Sequence, residues 1–258
     1  MTLAITDTTL DHLLDISRRA GEAIMAVYAT DFDVERKGDA SPVTEADKRA
    51  DDVIRAAIRA ELTDAYPLVT EETFEGDGPE VGSGRFWLVD PLDGTKEFIK
   101  RNGEFTVNIA LIEDHRPIMG CVHAPAIGKS YIGAEGLGAY RFDAASERQA
   151  VRVRPLPDDG WTALVSRSHP SPETEAYLAN LTVAGRISAG SSLKFCLVAE
   201  GSADVYPRFG PTMEWDTAAG DAVLRAAGGL VEDVVGNPFR YGKPGFRNPG
   251  FIAKARAS

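Results

Sequence analysis

The sequence has few cysteines and histidines and contains no long apolar run. Its 258 residues include two cysteines, Cys121 and Cys196, and four histidines. Two thiols could form only one disulfide, which is too few to stabilise a chain of this length. We therefore expect both thiols to be free and buried, in a protein of a reducing compartment. No apolar segment of about 18 residues occurs, and the N-terminus lacks the basic and apolar stretches of a signal peptide. These absences predict a soluble cytoplasmic protein with no integral membrane segment. Peripheral membrane association and the choice between monomer and homodimer stay open.

Basic residues are also scarce relative to acidic ones. The 28 Lys and Arg against 39 Asp and Glu give a formal charge of −11. Sequence-independent binding to nucleic acid or to an anionic membrane relies on basic groups that neutralise phosphates, so neither partner is expected. The 43% hydrophobic and 26% charged content is that of an ordinary globular protein. A phosphorylated ligand would therefore have to be bound by local groups.

Hydrophobic spacing predicts an alternation of helices and short strands along the chain. In the first part we expect helices at 10–27 and 46–62 and strands at 67–70, 86–89, 105–112 and 118–123. After about residue 150 we expect strands at 161–165 and 204–207 and helices at 173–181, 193–200 and 216–227. Interspersed strands and helices favour a layered α+β fold, with helices on the faces of the sheets. No linker is evident, so residues 1–258 are predicted to form one unit with approximate halves 1–150 and 151–258.

The segment Phe86-Trp-Leu-Val-Asp-Pro-Leu-Asp-Gly-Thr95 carries two acids at the end of an apolar run. The run predicts a buried strand that delivers Asp90 at its carboxyl end, and Pro91 is expected to end the pairing of that strand. Asp93 follows on the same turn, where two carboxylates can share a divalent cation but would otherwise repel each other. The Gly94 and Thr95 amides could point at a phosphate oxygen if a helix begins there. The alternative is an ordinary turn with Asp93 and Gly94 at its corner.

Two further acids stand at predicted element ends. Glu71 follows a predicted strand, and Asp216 stands where a helix is predicted to begin. Taken singly, Glu71 is equally well explained as a solvated loop acid and Asp216 as a helix N-cap. With Asp90 and Asp93 they make four acids, each near an element end and preceded by apolar residues. Four such coincidences are harder to explain as separate turn, loop and capping residues. Because no His or Cys cluster accompanies them, an all-oxygen site favours Mg²⁺ over Zn²⁺.

Asp47 lies in Thr44-Glu-Ala-Asp47, at the start of the second predicted helix. This spacing is similar to a capping box, in which Asp47 would have a structural role alone. The other interpretation is that Asp47 orients a water molecule. The residues by themselves leave both interpretations open.

Taken together, these motifs resemble a known family. Asp90-Pro-Leu-Asp-Gly-Thr95 and Glu214-Trp-Asp-Thr-Ala-Ala-Gly220, with Gly190-Ser-Ser-Leu-Lys194 between them, are similar to signatures of the inositol monophosphatase superfamily of Mg²⁺-dependent, lithium-sensitive phosphatases. The resemblance extends from Lys37 to Gly229. Further motifs resemble the bacterial 3′(2′),5′-bisphosphate nucleotidase branch, which is associated with sulfate assimilation. They are Asp93-Gly-Thr-Lys-Glu-Phe98, Phe105-Thr-Val-Asn-Ile-Ala110, Ala203-Asp-Val-Tyr-Pro-Arg208 and Gly210-Pro-Thr-Met-Glu-Trp-Asp216.

The resemblance implies an αβαβα sandwich and a set of site residues. The metal ligands for two to three Mg²⁺ ions would be Glu71, Asp90, Asp93, Asp216 and the Leu92 carbonyl. Asp47 and Thr95, with Glu71, would be the catalytic residues that orient and activate the attacking water. The implied substrate contacts are Asp93, Gly94, Thr95, His169, Ser191, Lys194, Arg208 and Asp216. Simpler interpretations stay open for three of these: Ser191 as an N-cap, Lys194 on a solvated helix face and His169 in an ordinary loop.

The implied reaction is removal of the 3′-phosphate from 3′-phosphoadenosine 5′-phosphate, and from the related 5′-phosphosulfate, to give AMP or adenylyl sulfate. The metal site would lie in the first half and the nucleotide contacts in the second. An inositol or other sugar monophosphatase is the alternative enzyme, since a metal site alone does not choose among phosphate monoesters. A non-catalytic regulatory binding protein of the same fold is a further alternative, against which every expected metal ligand is an intact acid.

Overall fold

A computed structural model describes residues 2–30, 35–36, 42–43, 45–143, 147–166 and 171–256. The α-helices of these residues are α1 (Asp7–Tyr28), α2 (Glu45–Ala57), α3 (Thr95–Ile99), α4 (Pro172–Leu178), α5 (Leu193–Ala199) and α6 (Ala218–Ala226). A π-helical turn, Ile58–Leu62, extends α2, and 3₁₀ turns span Glu71–Thr73, Pro125–Ile127 and Pro244–Phe246. None of the described helices is long and apolar enough to cross a membrane.

The strands of the described residues form two large sheets and two small ribbons. They are β1 (Glu35–Arg36), β2 (Pro42–Val43), β3 (Leu68–Thr70), β4 (Phe86–Asp93), β5 (Thr106–Glu113), β6 (Arg116–Ala124), β7 (Lys129–Ala134), β8 (Gly138–Asp143), β9 (Gln149–Val151), β10 (Trp161–Ser166), β11 (Val183–Ala189), β12 (Val205–Arg208), β13 (Thr212–Met213), β14 (Leu230–Asp233), β15 (Arg247–Asn248) and β16 (Phe251–Lys254). The ribbons pair β1 with β2 and β13 with β15.

The larger sheet has seven strands in the sequential order β3 to β9. Only β3 and β4 are parallel, and every later pair is antiparallel. Successive side chains of a strand point to opposite faces, so the continuous apolar run of β4 supplies two cores at once. Phe86 and Leu88 belong to one core, and Trp87 and Val89 belong to the other.

The first two helices cover one face of this sheet. Helix α1 begins at Asp7 because the Thr6 hydroxyl accepts a hydrogen bond from the Thr9 amide at 3.2 Å. Apolar side chains of α1 and α2 pack against Trp87 and Cys121 of the sheet. Both cysteines of the chain are free and buried, as expected.

The opposite face of the sheet is covered by α5 and α6, which lie between the two large sheets. Phe195 of α5 and Val223 of α6 share a core with Leu88 on one side and Phe251 on the other. The second sheet has the order β11-β10-β12-β16-β14, with β10 parallel to its two neighbours. Leu178 of α4 packs on its outer face. The layers therefore alternate αβαβα, which confirms the predicted fold class.

The element prediction needs correction in several places. Strands β7, β8, β9, β14 and β16 were not predicted. The pairing of β4 does not end at Pro91, because a β-bulge lets it continue to Asp93: Asp90 pairs with Asn108, and Asp93 pairs with Thr106. The bulge places one more residue on β4 than on β5, so the strand accommodates Pro91 and pairs again at Asp93. The helix predicted at 173–181 ends at Leu178 and is followed by β11, which was not predicted because its side chains alternate in exposure without an apolar run.

Gly120 of β6 is a position where α6 packs closely against the large sheet. A Cβ added there would lie 2.8 Å from the Ala222 Cβ and 2.9 Å from the Ala219 Cα. We expect Gly120→Ala to lower the free energy of unfolding by about 1–3 kcal/mol, because the packed helix cannot move away without loss elsewhere. Urea unfolding measures this change. Gly84→Ala is the control, since its added Cβ would meet only the Val81 carbonyl oxygen at 3.8 Å. Equal losses in both variants would contradict the close contact.

Candidate active site

Acids from three separate parts of the chain converge at one end of the large sheet. Carboxylate oxygens of Glu71, Asp90 and Asp216 all lie within 4.8 Å of one another. Asp93 and Asp47 line the same cavity as Glu71 and Asp216. The acids that the sequence placed at separate element ends are thus neighbours in space.

Glu71 is the first residue of the 3₁₀ turn that follows β3. The Thr70 hydroxyl accepts a hydrogen bond from the Thr73 amide at 3.2 Å, which caps the turn and fixes where it begins. Phe74, just beyond the turn, packs against Trp215 with a ring separation of 5.1 Å. Because Trp215 precedes Asp216, this aromatic contact ties the chain near Glu71 to the chain near Asp216.

Asp90 and Asp93 lie on either side of the β4 bulge. Asp90 is only 1% exposed, and its Oδ1 accepts a hydrogen bond from the Leu92 amide at 3.0 Å. Gly94 follows with φ of 94°, a left-handed conformation that a side chain would disfavour, and α3 begins at Thr95. The helical start conjectured at Gly94 and Thr95 is therefore present.

Asp216 is fixed by the turn before α6. Its Oδ2 accepts a hydrogen bond from the Met213 amide at 2.8 Å, and the N-cap of α6 is Thr217. The interpretation of Asp216 as an N-cap is therefore wrong. Glu214 is fully buried and accepts hydrogen bonds from the Gly242 and Lys243 amides at 2.6 and 2.9 Å. These bonds fix the turn before α6 to the chain at residues 242–243.

The carboxylates strongly disfavour one another's ionised forms. Burial, and then the charges of Glu71 and Asp93, hold the pKa of Asp90 well above its usual range. Burial and the charge of Asp93 do the same to the pKa of Asp216. Glu71 is exposed to the cavity, and desolvation, followed by the charges of Asp47 and Asp93, raises its pKa to about 8. Hard divalent cations relieve such a conflict, and an all-oxygen donor set fits Mg²⁺.

The same cavity, of about 410 Å³, also contains positive charge. Lys194 on α5 is 4% exposed and donates hydrogen bonds to the carbonyls of Ala189 and Ser191, at 3.2 and 2.6 Å. Burial lowers its pKa to about 8, against the opposing effect of Asp93. Arg208, at the end of β12, lines the cavity beside it. The interpretation of Lys194 as a residue of a solvated helix face is wrong, because the side chain points into the protein and the cavity.

Two polar atoms of the cavity wall lack protein partners. The Ser191 hydroxyl and the Arg208 Nε are buried and have no hydrogen-bond partner among the described residues. Ser191 has φ of 43°, and the N-cap of α5 is Ser192, so the N-cap interpretation of Ser191 is wrong as well. Unsatisfied buried polar groups are rare in folded proteins and require an explanation, and a bound ligand is one.

Most of the predicted site residues meet at this cavity. Its lining includes Asp47, Glu71, Asp93, Gly94, Thr95, Ser191, Lys194, Arg208 and Asp216. Asp90 and Leu92 are buried and are not part of the lining. His169, Lys37 and Thr44 lie outside the described residues.

The sequence reasoning missed other residues of the site. Tyr206 lines the cavity with its ring 5.2 Å from the Lys194 Nζ, and Ser192 contacts both Asp93 and Asp216. Asn108 donates a hydrogen bond to Ser192. All three lie inside motifs that carry the family resemblance, and Asn108 carried a further signal as a polar residue between the apolar Val107 and Ile109.

The fold and the cavity define a layered αβαβα protein with an acidic site suited to divalent cations. The chain belongs to the inositol monophosphatase family, whose model matches residues 6–256. It is 50% identical over 249 residues to the 3′(2′),5′-bisphosphate nucleotidase CysQ of Escherichia coli O157:H7, an alignment that covers 94% of this chain and 98% of that protein.

Solved structures are similar as well. The crystal structure of CysQ from Bacteroides thetaiotaomicron superposes with a TM-score of 0.85 at 40% identity, covering 97% of this chain and 98% of that one. An inositol monophosphatase from Anabaena superposes with a TM-score of 0.74 at 25% identity, covering 96% and 90% of the two chains. Both likenesses extend over nearly the whole chain.

The raised pKa values predict how pH acts on the metal-free protein. Folding raises the pKa of Glu71 from 4.5 to about 8, so between these values the folded state binds more protons than the unfolded state. Its contribution to stability is complete below pH 4.5 and is lost as the pH rises towards 8. We therefore expect the melting temperature in EDTA, measured relative to that of Glu71→Gln, to fall between about pH 7 and pH 8.5 and Mg²⁺ to restore it, since the cation binds the ionised form.

Two other groups oppose Glu71, and the comparison with Glu71→Gln separates its effect from theirs. The folded pKa of Lys194 is about 8, so this lysine stabilises the fold increasingly as the pH rises through 8, in both proteins. Burial lowers the pKa of His123 to about 4, so this histidine stabilises the fold increasingly as the pH rises towards 6.5 and contributes little change above about pH 7. Glu71→Gln is the matched variant, since it lacks the contribution of Glu71 and keeps those of Lys194 and His123. A difference in melting temperature between the two proteins that does not change with pH in EDTA would contradict the assignment.

Proposed function

We propose that the protein is a Mg²⁺-dependent phosphatase that removes the 3′-phosphate of 3′-phosphoadenosine 5′-phosphate to give AMP and phosphate. The related 3′-phosphoadenylyl sulfate would give adenylyl sulfate. One observation carries the proposal: a single cavity holds both the acidic cluster and the cations Lys194 and Arg208. A substrate with two separate anionic groups matches that arrangement, because one group can be cleaved at the acidic cluster while the other is held by the cations.

The similarity to known proteins supports the same substrate. Relatives from several bacteria carry the name 3′(2′),5′-bisphosphate nucleotidase, with identities between 29% and 50% over most of their length. Metal dependence and lithium sensitivity are typical of the family, and we include both in the proposal.

The residues of the acidic cluster would hold the metal. Glu71, Asp90, Asp93, Asp216 and the Leu92 carbonyl are the proposed ligands of two to three Mg²⁺ ions. When bound, Mg²⁺ neutralises phosphoryl charge and makes water a stronger nucleophile. Asp47, 5% exposed in the first turn of α2, and Thr95, the first residue of α3, face the cavity and are proposed to orient that water.

The cationic residues would hold the phosphate that is not cleaved. Arg208 contributes a guanidinium, whose planar donors suit phosphate oxygens, and Lys194 contributes a fixed positive charge. The unpartnered Ser191 hydroxyl and Arg208 Nε supply donors that are already buried and oriented. His169 belongs to the same proposal on the family resemblance alone.

Loss of one metal ligand should separate activity from stability. Asp90→Asn retains an oxygen that can accept the hydrogen bond from the Leu92 amide but removes a buried charge. We expect phosphate release to fall by at least about a thousandfold, because the metal supplies several kcal/mol of charge stabilisation. The melting temperature in EDTA should rise, since the carboxylate repulsion is reduced. Asp64→Asn, at an exposed position, is the control and should retain activity. Activity of Asp90→Asn close to that of the unmodified protein would overturn the metal assignment.

Substrate choice should depend on Arg208. Lys194 also holds two backbone carbonyls, so Arg208→Met is the cleaner variant. Losing a charge-assisted hydrogen bond removes about 1.5–3 kcal/mol, so kcat/KM for 3′-phosphoadenosine 5′-phosphate should fall about 10- to 100-fold. Substrates with one phosphate, such as 3′-AMP and inositol 1-phosphate, should be little affected. Equal losses on all three substrates, measured as Mg²⁺-dependent phosphate release, would favour a sugar monophosphatase instead.

A further inference from the structure

A line of buried polar side chains leads from β5 of the large sheet to the acidic cluster. The Thr106 hydroxyl donates to Asn108 Oδ1 at 3.0 Å, and Asn108 Nδ2 donates to the Ser192 hydroxyl at 3.0 Å. The Ser192 hydroxyl in turn donates to the Asp216 carbonyl oxygen at 2.5 Å. The three side chains are 0%, 1% and 2% exposed, so no solvent substitutes for these bonds. Thr106 and Asn108 belong to β5, Ser192 precedes α5, and Asp216 precedes α6.

Ser192 contacts a second acid through its backbone. Its amide donates to Asp93 Oδ2 at 2.6 Å, while the Asn108 Nδ2 lies 3.4 Å from the same oxygen. One residue therefore links β4, which carries Asp93, to the turn that carries Asp216. We call Thr106, Asn108 and Ser192 the serine bridge.

The direction of each bond in the serine bridge is fixed by its chemistry. A serine hydroxyl has one hydrogen, and since it is donated to the Asp216 carbonyl, Ser192 must accept from Asn108. The Asn108 amide is held in that orientation because Thr106 donates to its oxygen. Hydrogen bonds aligned in this way strengthen one another and rigidify the groups they join.

The Ser192 hydroxyl does not cap α5, the helix that Ser192 precedes. Ser192 is the N-cap of α5, yet its side chain makes no capping hydrogen bond. An N-cap serine usually accepts a hydrogen bond from the first turn of its helix. Here the hydroxyl is turned away from α5 and towards the acidic cluster.

We propose that Ser192, oriented by Asn108, is a positioning residue that sets the separation of Asp93 and Asp216 and thereby the affinity of the site for divalent cations. The inference rests on the proposed function, since it requires the acidic cluster to bind a metal. Ser192 acts through the two acids and does not take part in the reaction. Groups that orient metal ligands typically change metal affinity by 10- to 100-fold when they are removed.

The test measures metal binding directly. Mg²⁺ is titrated into the metal-free protein by calorimetry, with Ser192→Ala compared with the unmodified chain. Because the variant retains its amide, it loses only the hydroxyl contacts, and we expect the Kd for Mg²⁺ to rise at least about tenfold.

The control matches the bond that is lost. Ser17 is fully buried in α1, and its hydroxyl donates to the Leu13 carbonyl at 2.9 Å, away from the cavity. Ser17→Ala removes the same kind of hydrogen bond and should leave the Kd for Mg²⁺ unchanged. Equal shifts in both variants would mean a general loss of stability and would overturn the proposal.

A milder variant keeps the proposal testable if Ser192→Ala does not fold. Thr106→Val preserves side-chain shape and removes the first bond of the serine bridge, so the Kd for Mg²⁺ should rise about fivefold. An unchanged Kd in a folded variant would overturn the proposal, as would a lower kcat at unchanged Kd. Failure of the unmodified protein to bind Mg²⁺ would instead overturn the proposed function, so the two failures are distinguishable.

Discussion

The structure depends on holding mutually repelling carboxylates together at the end of one sheet. Glu71, Asp90, Asp93 and Asp216 all have raised pKa values, chiefly because of burial, and neighbouring carboxylates add to the effect at Glu71, Asp90 and Asp216. Groups that repel do not stay adjacent unless the backbone carrying them is fixed independently. The bonds around the site serve that purpose. Glu214 holds the turn before α6 through the Gly242 and Lys243 amides, and the capped turn after β3 holds Glu71.

The layers of the fold place opposite charges at opposite parts of one cavity. The acids come from β4, from the turn after β3 and from the turn before α6, whereas Lys194 and Arg208 come from α5 and β12. Because the acids and the cations are carried by different segments, the acidic part of the cavity can stay constant while the cationic part changes between relatives. A metal site that is common to proteins with different substrates follows naturally from this division.

The sequence predicted the parts of the site that depend on local patterns. Asp90, Glu71 and Asp216 each follow apolar residues at an element end, and such patterns are visible without knowledge of the fold. The β4 bulge was not predicted because it depends on pairing with β5. The role of Ser192 depends on Asp216, and the surroundings of Lys194 on Tyr206 and Asp93, which only the folded chain brings near. Strand β11 escaped notice because alternating exposure and a glycine weaken its apolar signal.

The layer order also has a consequence for synthesis. The strands of the large sheet are complete at Val151, but α5 and α6, which cover its inner face, lie between Leu193 and Ala226. A chain made from its N-terminus therefore displays an uncovered apolar surface around Leu88 until the inner helices emerge from the ribosome. Partly formed sheets of this kind are prone to aggregation and are natural clients of chaperones. The last acid, Asp216, arrives just ahead of α6, so the nascent chain acquires its complete acidic cluster only as its core closes.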